Sequence, residues 1–163
     1  MLIKIIFLIA LSLYLWSPFA VYADDISQNI KEPFIKPNAG FYYQFKRGYE
    51  KIFEKFQFSS ASKLNYYQNL LLTRLSELKY VAETKDLDDL QRSTERFSYE
   101  AGKIVQLSEK LNSTDNARIQ NQFKEYKPIL EKLRDLYSYN SSYWKLIQYD
   151  IDTLDILSKK LKT

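Results

Sequence analysis

Two groups of closely spaced aspartates are the first candidates for chemistry, because neighbouring carboxylates can hold a metal ion. The groups are Asp86, Asp88 and Asp89, and Asp150, Asp152 and Asp155. Carboxylates in the first turn of a helix favour the helix macrodipole without a metal, which accounts for the first group. The second group lies in a helical pattern and lacks the glycine that a calcium-binding loop needs for its sharp turn. We therefore predict that neither group binds a metal.

Catalytic chemistry is restricted by two residue types that the chain lacks. The 163 residues include no cysteine and no histidine, which excludes disulfides, thiolate chemistry, histidine-based triads and histidine-ligated zinc. The 20 acidic residues include pairs of the kind that glycoside hydrolases use, but no pair stands out. We predict no catalytic residue, no cofactor and no enzymatic activity.

A structural role is predicted for a small set of charged residues. Arg74 and Glu77 lie one helical turn apart among leucines, where a charge persists only if a neighbour satisfies it. We predict that they form an ion pair between helices with Glu50 or Lys46, as a structural clamp rather than a ligand site. Arg47 lies with Lys46 and Glu50 on the polar face of an earlier helix. Local ion pairs are expected there, and that face is predicted to be solvated.

The aromatic residues, 14 tyrosines and 10 phenylalanines among them, are expected mostly to pack in the core and at its edge. Tyr143 and Trp144 are the exception, because consecutive side chains on a helix cannot both face one core. Exposed aromatic side chains are enriched at binding surfaces. This pair is therefore the predicted contact surface.

The N-terminal segment has the features of a secretory signal peptide. Residues 1–23 contain Lys4 as their single charge, an apolar run, Pro18, and a Val-Tyr-Ala cleavage site. The alternative is an uncleaved membrane anchor, since the 18 residues from Ile5 to Tyr22 carry no charge. Residues 24–39 are predicted to be an extended linker, and residues 40–163 one domain. A secreted, periplasmic or cell-envelope location follows from cleavage.

The first two helices are predicted from apolar residues spaced by threes and fours. The first should run from about Gly40 to Phe56, and the second should begin after a turn and N-cap at Phe58-Ser59-Ser60 and end near Glu83. The apolar stripe of the first helix consists of Tyr42, Phe45, Tyr49, Ile52, Phe53 and Phe56.

The third helix has the most regular apolar spacing, from an N-cap at Asp86 to Leu111. Gly102 lies inside it, where glycine weakens a helix, so we predict that a neighbouring backbone approaches closely there.

The remaining chain continues the helical pattern from Asp115. Pro128 is expected either to kink this helix or to divide its first turns from the rest. An unbroken helix from Asp115 to Leu161 would be about 70 Å long, so we predict a break near Asn140. The chain as a whole is predicted to be all-α, an antiparallel helical bundle of four to five helices after a signal peptide and a short linker.

One stretch of the chain resembles a known family. The matching residues are Pro37-Asn38-Ala39, Phe41-Tyr42-Tyr43, Lys46-Arg47, Glu50, Phe56-Gln57-Phe58-Ser59, Lys63, Arg74-Leu75 and Glu77. They resemble a bacterial domain-of-unknown-function family with a P-x-S-x-x-Y-x-x-K-R-x-x-E opening and a later R-L-x-E helix. Ala39 stands at the serine position, and one residue is inserted before the tyrosine. The resemblance covers about residues 37–111 and implies an extracytoplasmic helical domain without an assigned activity.

The leader and the amphipathic helices favour a non-enzymatic extracytoplasmic domain that binds a protein or an envelope component, or has a structural role there. The alternative is a carrier for an apolar ligand or lipid inside the bundle. Contact with a membrane is expected only if the N-terminal segment is uncleaved. The net charge is +4, with positive and negative residues interspersed, so no nucleic-acid partner is predicted.

Overall fold

The computed structural model describes residues 30–110 and 113–161, so the predicted signal peptide lies outside the described residues. These residues form five helices and no strand, which confirms the all-α prediction. The helices are α1 (Phe41–Lys55), α2 (Ser60–Glu83), α3 (Leu87–Ser108), α4 (Ser113–Arg134) and α5 (Ser142–Lys160). None of these five helices combines the length and the apolar character that are needed to cross a membrane.

Contacts between helices establish an antiparallel bundle. Arg118 of α4 bonds Asn65 of α2, and Tyr137, beyond the end of α4, bonds the carbonyl of Ala82 near the end of α2, so these two helices run in the same direction. The helix α5 runs in the opposite direction to α4, because Lys127 pairs with Asp155 and Asn116 lies beside the carbonyl of Leu161. The three-residue connection from α2 to α3 reverses the chain.

The core lies between α2, α3, α4 and α5, each of which buries one apolar face. The apolar residues of α2 that recur at spacings of three and four are buried along its whole length: Leu64, Tyr67, Leu71, Leu75, Leu78 and Val81. The other three helices contribute Leu90, Phe97, Ala101 and Ile104, then Ile119, Phe123, Tyr126, Leu130 and Leu133, then Ile147, Ile151 and Leu154. The periodicity therefore predicted the inward face of these four helices.

Turn residues end the helices where the sequence predicted. Ser59 caps α2 by accepting a hydrogen bond from the backbone NH of Ser62. The predicted break near Asn140 is confirmed, since Asn140 has a positive φ of 63° and Ser141 caps α5. Asp86 precedes α3, but its side chain does not cap the helix. Its carboxylate accepts a hydrogen bond from Asn38 instead, at 3.0 Å.

The helix α1 has the opposite orientation to the one predicted. Five residues of its predicted stripe are exposed, namely Tyr42, Phe45, Tyr49, Ile52 and Phe56, while Phe53 is half-buried and only Tyr43 of α1 is buried. Part of the polar face, which was predicted to be solvated, lies against α2 instead. Glu50 and Lys46 bond to α2 side chains, so the prediction was wrong for them, whereas Lys51 and Lys55 are exposed as predicted. Its apolar stripe has no place in the core, because α2 to α5 close the core among themselves.

The segment before α1 lies along α2. The carbonyl groups of Ile30 and Lys31 accept hydrogen bonds from Lys79 and Ser76 of α2, and Pro33 and Pro37 are buried. Within the predicted linker, residues 30–39 are therefore held against the bundle by backbone contacts, while the side chain of Phe34 is exposed.

Two expectations about helix interiors are settled by the structure. A Cβ placed on Gly102 would meet no atom within 4 Å, so the predicted close approach of a neighbouring backbone was wrong. Pro128 lies inside α4, which continues through it, so it does not divide the helix.

The substitution Phe97→Ala tests the packing of the core. Phe97 is fully buried, so truncation removes its transfer free energy and leaves a cavity. We expect the free energy of unfolding to fall by about 3–5 kcal/mol, measured by denaturant titration. Lys103→Ala on the same helix is the control, and an equally small loss for both variants would contradict the packing described.

Candidate functional site

The residues predicted as structural ion pairs meet in one charge cluster, which comprises Lys46, Arg47, Glu50, Arg74, Glu77 and Glu100. Arg74 lies at its centre and is fully buried. One terminal nitrogen, Nη1, donates to both carboxylate oxygens of Glu77, at 3.0 and 2.9 Å. The other, Nη2, donates to Glu50 on α1. Its Nε lies 3.8 Å from the carboxylate of Glu100 on α3.

The two basic residues of α1 in the cluster balance the remaining negative charge. Lys46 donates to Glu77 and lies 3.5 Å from Glu50. Arg47 donates to Glu50 at 2.9 Å. Three cations and three carboxylates from α1, α2 and α3 therefore neutralise one another, which is the condition under which charges are tolerated away from water.

Tyrosine side chains extend the polar contact between α1 and α2. The hydroxyl of Tyr43 donates to Glu77 at 2.9 Å and accepts from Arg96 of α3 at 2.8 Å. Tyr66 and Tyr67 of α2 donate to the carbonyl of Glu50 and to the side chain of Glu54, respectively. The attachment of α1 to the bundle is therefore largely polar.

Ionisation differs between the two buried glutamates of the cluster. Burial alone disfavours the charged form of Glu77, but Arg74 and Lys46 outweigh burial and hold the pKa of Glu77 below its usual value. Burial raises the pKa of Glu100 to about 7, against the opposing effect of Arg74 and Arg47. Oε2 of Glu100 has no hydrogen-bond partner among the described residues.

The sequence did not predict that Glu100 and Asp150 would be buried. Asp150 is fully buried and accepts a hydrogen bond from Ser98, and burial raises its pKa well above the usual value. A signal for both existed, because Glu100 is in phase with Phe97 and Ile104, and Asp150 lies three residues after Ile147. An acidic residue in register with an apolar stripe indicates a buried carboxylate.

The arrangement of the charge cluster is that of a structural clamp. Each of its carboxylates faces at least one cation, and the cluster lies beneath α1. Among the described residues, no group of three or more acidic side chains is placed to hold a metal ion. The ion pairs of the cluster attach α1 to α2 and α3.

The outward side of α1 carries the largest set of exposed apolar residues that the sequence did not predict. We define the aromatic face as Phe41, Tyr42, Phe45, Tyr49, Ile52 and Phe56. The exposed fraction of these side chains runs from 49% for Tyr49 to 74% for Phe41. Phe58, in the turn after α1, is also exposed. Contiguous exposed apolar surface on a folded domain is typical of an interaction site.

The predicted contact surface at Tyr143 and Trp144 lies at the turn between α4 and α5. Tyr143 is half-buried against the core, with its ring 5.7 Å from that of Tyr137. Trp144 is also half-buried, between the ring of Tyr139 at 5.0 Å and the guanidinium of Arg134 at 5.1 Å. Both side chains therefore have partners within the chain and offer less free surface than the aromatic face.

A polar groove lies beside the N-terminal ends of α1 and α3, with a volume of about 670 Å³. Its lining includes two positively charged residues, Arg47 and Arg96, and three negatively charged ones, Asp86, Asp88 and Asp89. Because both signs line the groove, it does not have the uniform charge that would select an ionic ligand.

Comparison of the chain with protein-family models, with curated proteins and with solved structures gave no match. The resemblance of residues 37–111 to an extracytoplasmic helical family stays a prediction.

The substitution Arg74→Ala tests the charge cluster. The variant lacks the guanidinium that lies between the carboxylates of Glu77, Glu50 and Glu100. Removing one partner of a buried ion pair typically costs about 3–5 kcal/mol, so we expect a loss of that size in the free energy of unfolding. We also expect the substitution to speed up hydrogen exchange at the backbone amides of α1 more than at those of α3.

Arg92→Ala is the matched control, because Arg92 pairs with Asp89 at the same three-residue spacing but its own side chain is 68% exposed. Such pairs contribute about 0–1 kcal/mol. Equal melting temperatures for the wild type and Arg74→Ala would contradict a clamping role for the cluster.

The substitution Glu100→Gln tests the raised pKa of Glu100. The native state holds this proton more tightly than the unfolded state, whose glutamate has a pKa near 4.5. Its contribution to stability is therefore present below pH 4.5 and is lost as the pH rises through 7. The loss is at most about 3 kcal/mol.

We expect the stability of the Gln variant to vary less between pH 5 and pH 8, in denaturant titrations across roughly this range. Asp150→Asn is a second variant, because its pKa is shifted in the same direction by burial. Parallel pH profiles for the wild type and Glu100→Gln would show that Glu100 does not titrate in this range.

Proposed function

We propose that the protein is a non-enzymatic extracytoplasmic domain that binds a component of the cell envelope through the aromatic face of α1. The observation that carries the proposal is the orientation of α1, which turns Lys46, Glu50 and Glu54 to the bundle and its aromatic face outward. The leader features of residues 1–23 support the extracytoplasmic location.

The exposed apolar area is difficult to explain by the stability of the isolated domain. An apolar side chain left in water forgoes about 1.5–3 kcal/mol that its burial would provide, and the aromatic face has six such side chains. Binding a partner would recover part of this free energy. Aromatic side chains are also enriched at protein interaction surfaces.

The alternative, a carrier with an apolar ligand inside the bundle, has less support. The four core helices bury their apolar faces against one another. The polar groove lies beside α1 and α3, a further depression lies between α3 and α5, and charged side chains contribute to the lining of both. These observations favour binding on the surface over binding in an enclosed apolar cavity.

The double substitution Phe45→Ser/Ile52→Ser tests the proposal. The chain recovered from the extracytoplasmic fraction of a producing host is sedimented with isolated bacterial envelopes, and the bound fraction is measured. We expect the wild type to bind and the variant to lose at least about tenfold in affinity, since each apolar side chain contributes more than about 1.4 kcal/mol.

The matched control is Tyr149→Ser/Ile156→Ser on α5. Ile156 and Ile52 are both 56% exposed, and Tyr149 at 67% matches Phe45 at 70%. We expect this control to bind as the wild type does. Equal binding of all three proteins would overturn the aromatic face as the contact surface, and loss of binding by Trp144→Ala alone would instead assign it to the turn between α4 and α5.

A further inference from the structure

The charges of α1 are divided between its two sides. The helix has two acidic residues, Glu50 and Glu54, and both are turned toward α2, where Arg74 and Tyr67 donate to them. The charged residues of α1 that are exposed are Lys51 and Lys55. The outward side of α1 therefore combines apolar side chains with positive charge and carries no carboxylate.

The residues on the outward side of α1 form a central strip and two edges of different chemical character. At about 100° per residue, apolar residues occupy the centre, with lysines along one edge and tyrosines along the other. The centre holds Phe41, Phe45 and Ile52, the lysine edge Lys51 and Lys55, and the tyrosine edge Tyr42 and Tyr49. An apolar centre between cationic and hydroxyl-bearing edges is the pattern of a helix that lies in a membrane interface.

We propose that α1 is an interfacial helix whose aromatic face inserts into the surface of a lipid bilayer that carries anionic headgroups. This inference rests on the proposed function and names the envelope component. Lys51 and Lys55 lie at the level of the headgroups, where they meet lipid phosphates, and Phe45 and Ile52 lie among the upper parts of the acyl chains.

The geometry of the charge cluster is compatible with this placement. Burial of the outer half of a helix reaches about 5 Å into the interface, so Arg74 and its partners on the opposite side of α1 stay within the protein. The contacts of α1 with α2 need not break for the aromatic face to insert. Binding is therefore expected without a change in helical content.

A second copy of the chain fits this surface less well than an anionic bilayer. Two aromatic faces packed against each other in an antiparallel pair would bring the lysine edges of both copies together. The outward side of α1 offers no carboxylate to balance them, and like charges at a contact oppose association. An anionic surface supplies the missing charge.

The test uses a local reporter, so that a retained leader cannot mimic binding by α1. The chain has no cysteine, and Phe45→Cys and Tyr149→Cys each provide one site for the environment-sensitive dye NBD, whose apolar ring system takes the place of the aromatic ring that is removed. The labelled full chain is titrated with vesicles of equimolar phosphatidylglycerol and phosphatidylcholine, and separately with vesicles of phosphatidylcholine alone. Circular dichroism of the same samples follows helical content.

We expect the dye at position 45 to brighten and shift to shorter wavelength with the anionic vesicles, while the dye at position 149 stays unchanged. Lys51→Gln and Lys55→Gln should each weaken binding to the anionic vesicles about fivefold. Added salt should reduce this difference in affinity between the wild type and each variant. A matched control for charge is Lys145→Gln, an exposed lysine of α5, which should have no effect.

Three results would overturn the proposal: no response at position 45, equal responses at positions 45 and 149, or equal affinity for neutral and anionic vesicles. If position 45 fails to respond to vesicles while Phe45→Ser/Ile52→Ser still abolishes binding to whole envelopes, the aromatic face binds an envelope protein or glycan. In that case the proposed function stands without the bilayer. If position 45 does not respond to vesicles and Phe45→Ser/Ile52→Ser does not change binding to whole envelopes, both proposals are overturned.

Discussion

The buried guanidinium of Arg74 is the constraint on which the arrangement of the first three helices depends. A charge away from water costs several kcal/mol unless carboxylates surround it in good geometry. Glu77 supplies one partner from the same helix, and Glu50 and Glu100 supply the others from α1 and α3. Each helix must therefore bring a particular residue to one point, which fixes the rotation of α1 about its own axis.

This electrostatic requirement overrides the usual rule that the apolar face of a helix turns inward. If α1 turned its aromatic face toward α2, Arg74 would lose its contact with Glu50, and Glu77 would lose its contact with Lys46. The four helices from α2 to α5 already close an apolar core, so α1 has little apolar surface to cover. The result is a helix that is attached by ion pairs and tyrosine hydroxyls and that presents its apolar residues to the outside. The stability of the domain and its proposed binding surface thus have one physical origin.

Sequence patterns predicted those parts of the fold in which the burial of apolar side chains alone determines how a helix is oriented. The apolar stripes of α2 to α5 lie inward because their period matches the helix, and the break at Asn140 followed from the length of helix that neighbours can cover. The orientation of α1 could not be predicted in this way. Both of its faces have residues at spacings of three and four, and the choice between them depends on Arg74, which is remote in sequence. The meeting of Arg74 with Glu100 on another helix was likewise invisible to local patterns, although the register of Glu100 with Phe97 indicated its burial.

Cysteine labelling around α1 tests the orientation of this helix most directly, because the chain has no natural cysteine. Single substitutions at Phe45 and Ile52 on the outside, and at Tyr43 and Glu54 on the side that faces α2, are compared for their rate of reaction with a small thiol reagent, with Tyr139→Cys as an exposed reference. We expect cysteines at positions 45 and 52 to react at rates close to that at position 139, and cysteines at positions 43 and 54 to react much more slowly. Fast reaction at 43 and 54 together with protection at 45 and 52 would mean that the aromatic face turns inward, and would contradict the role given to Arg74.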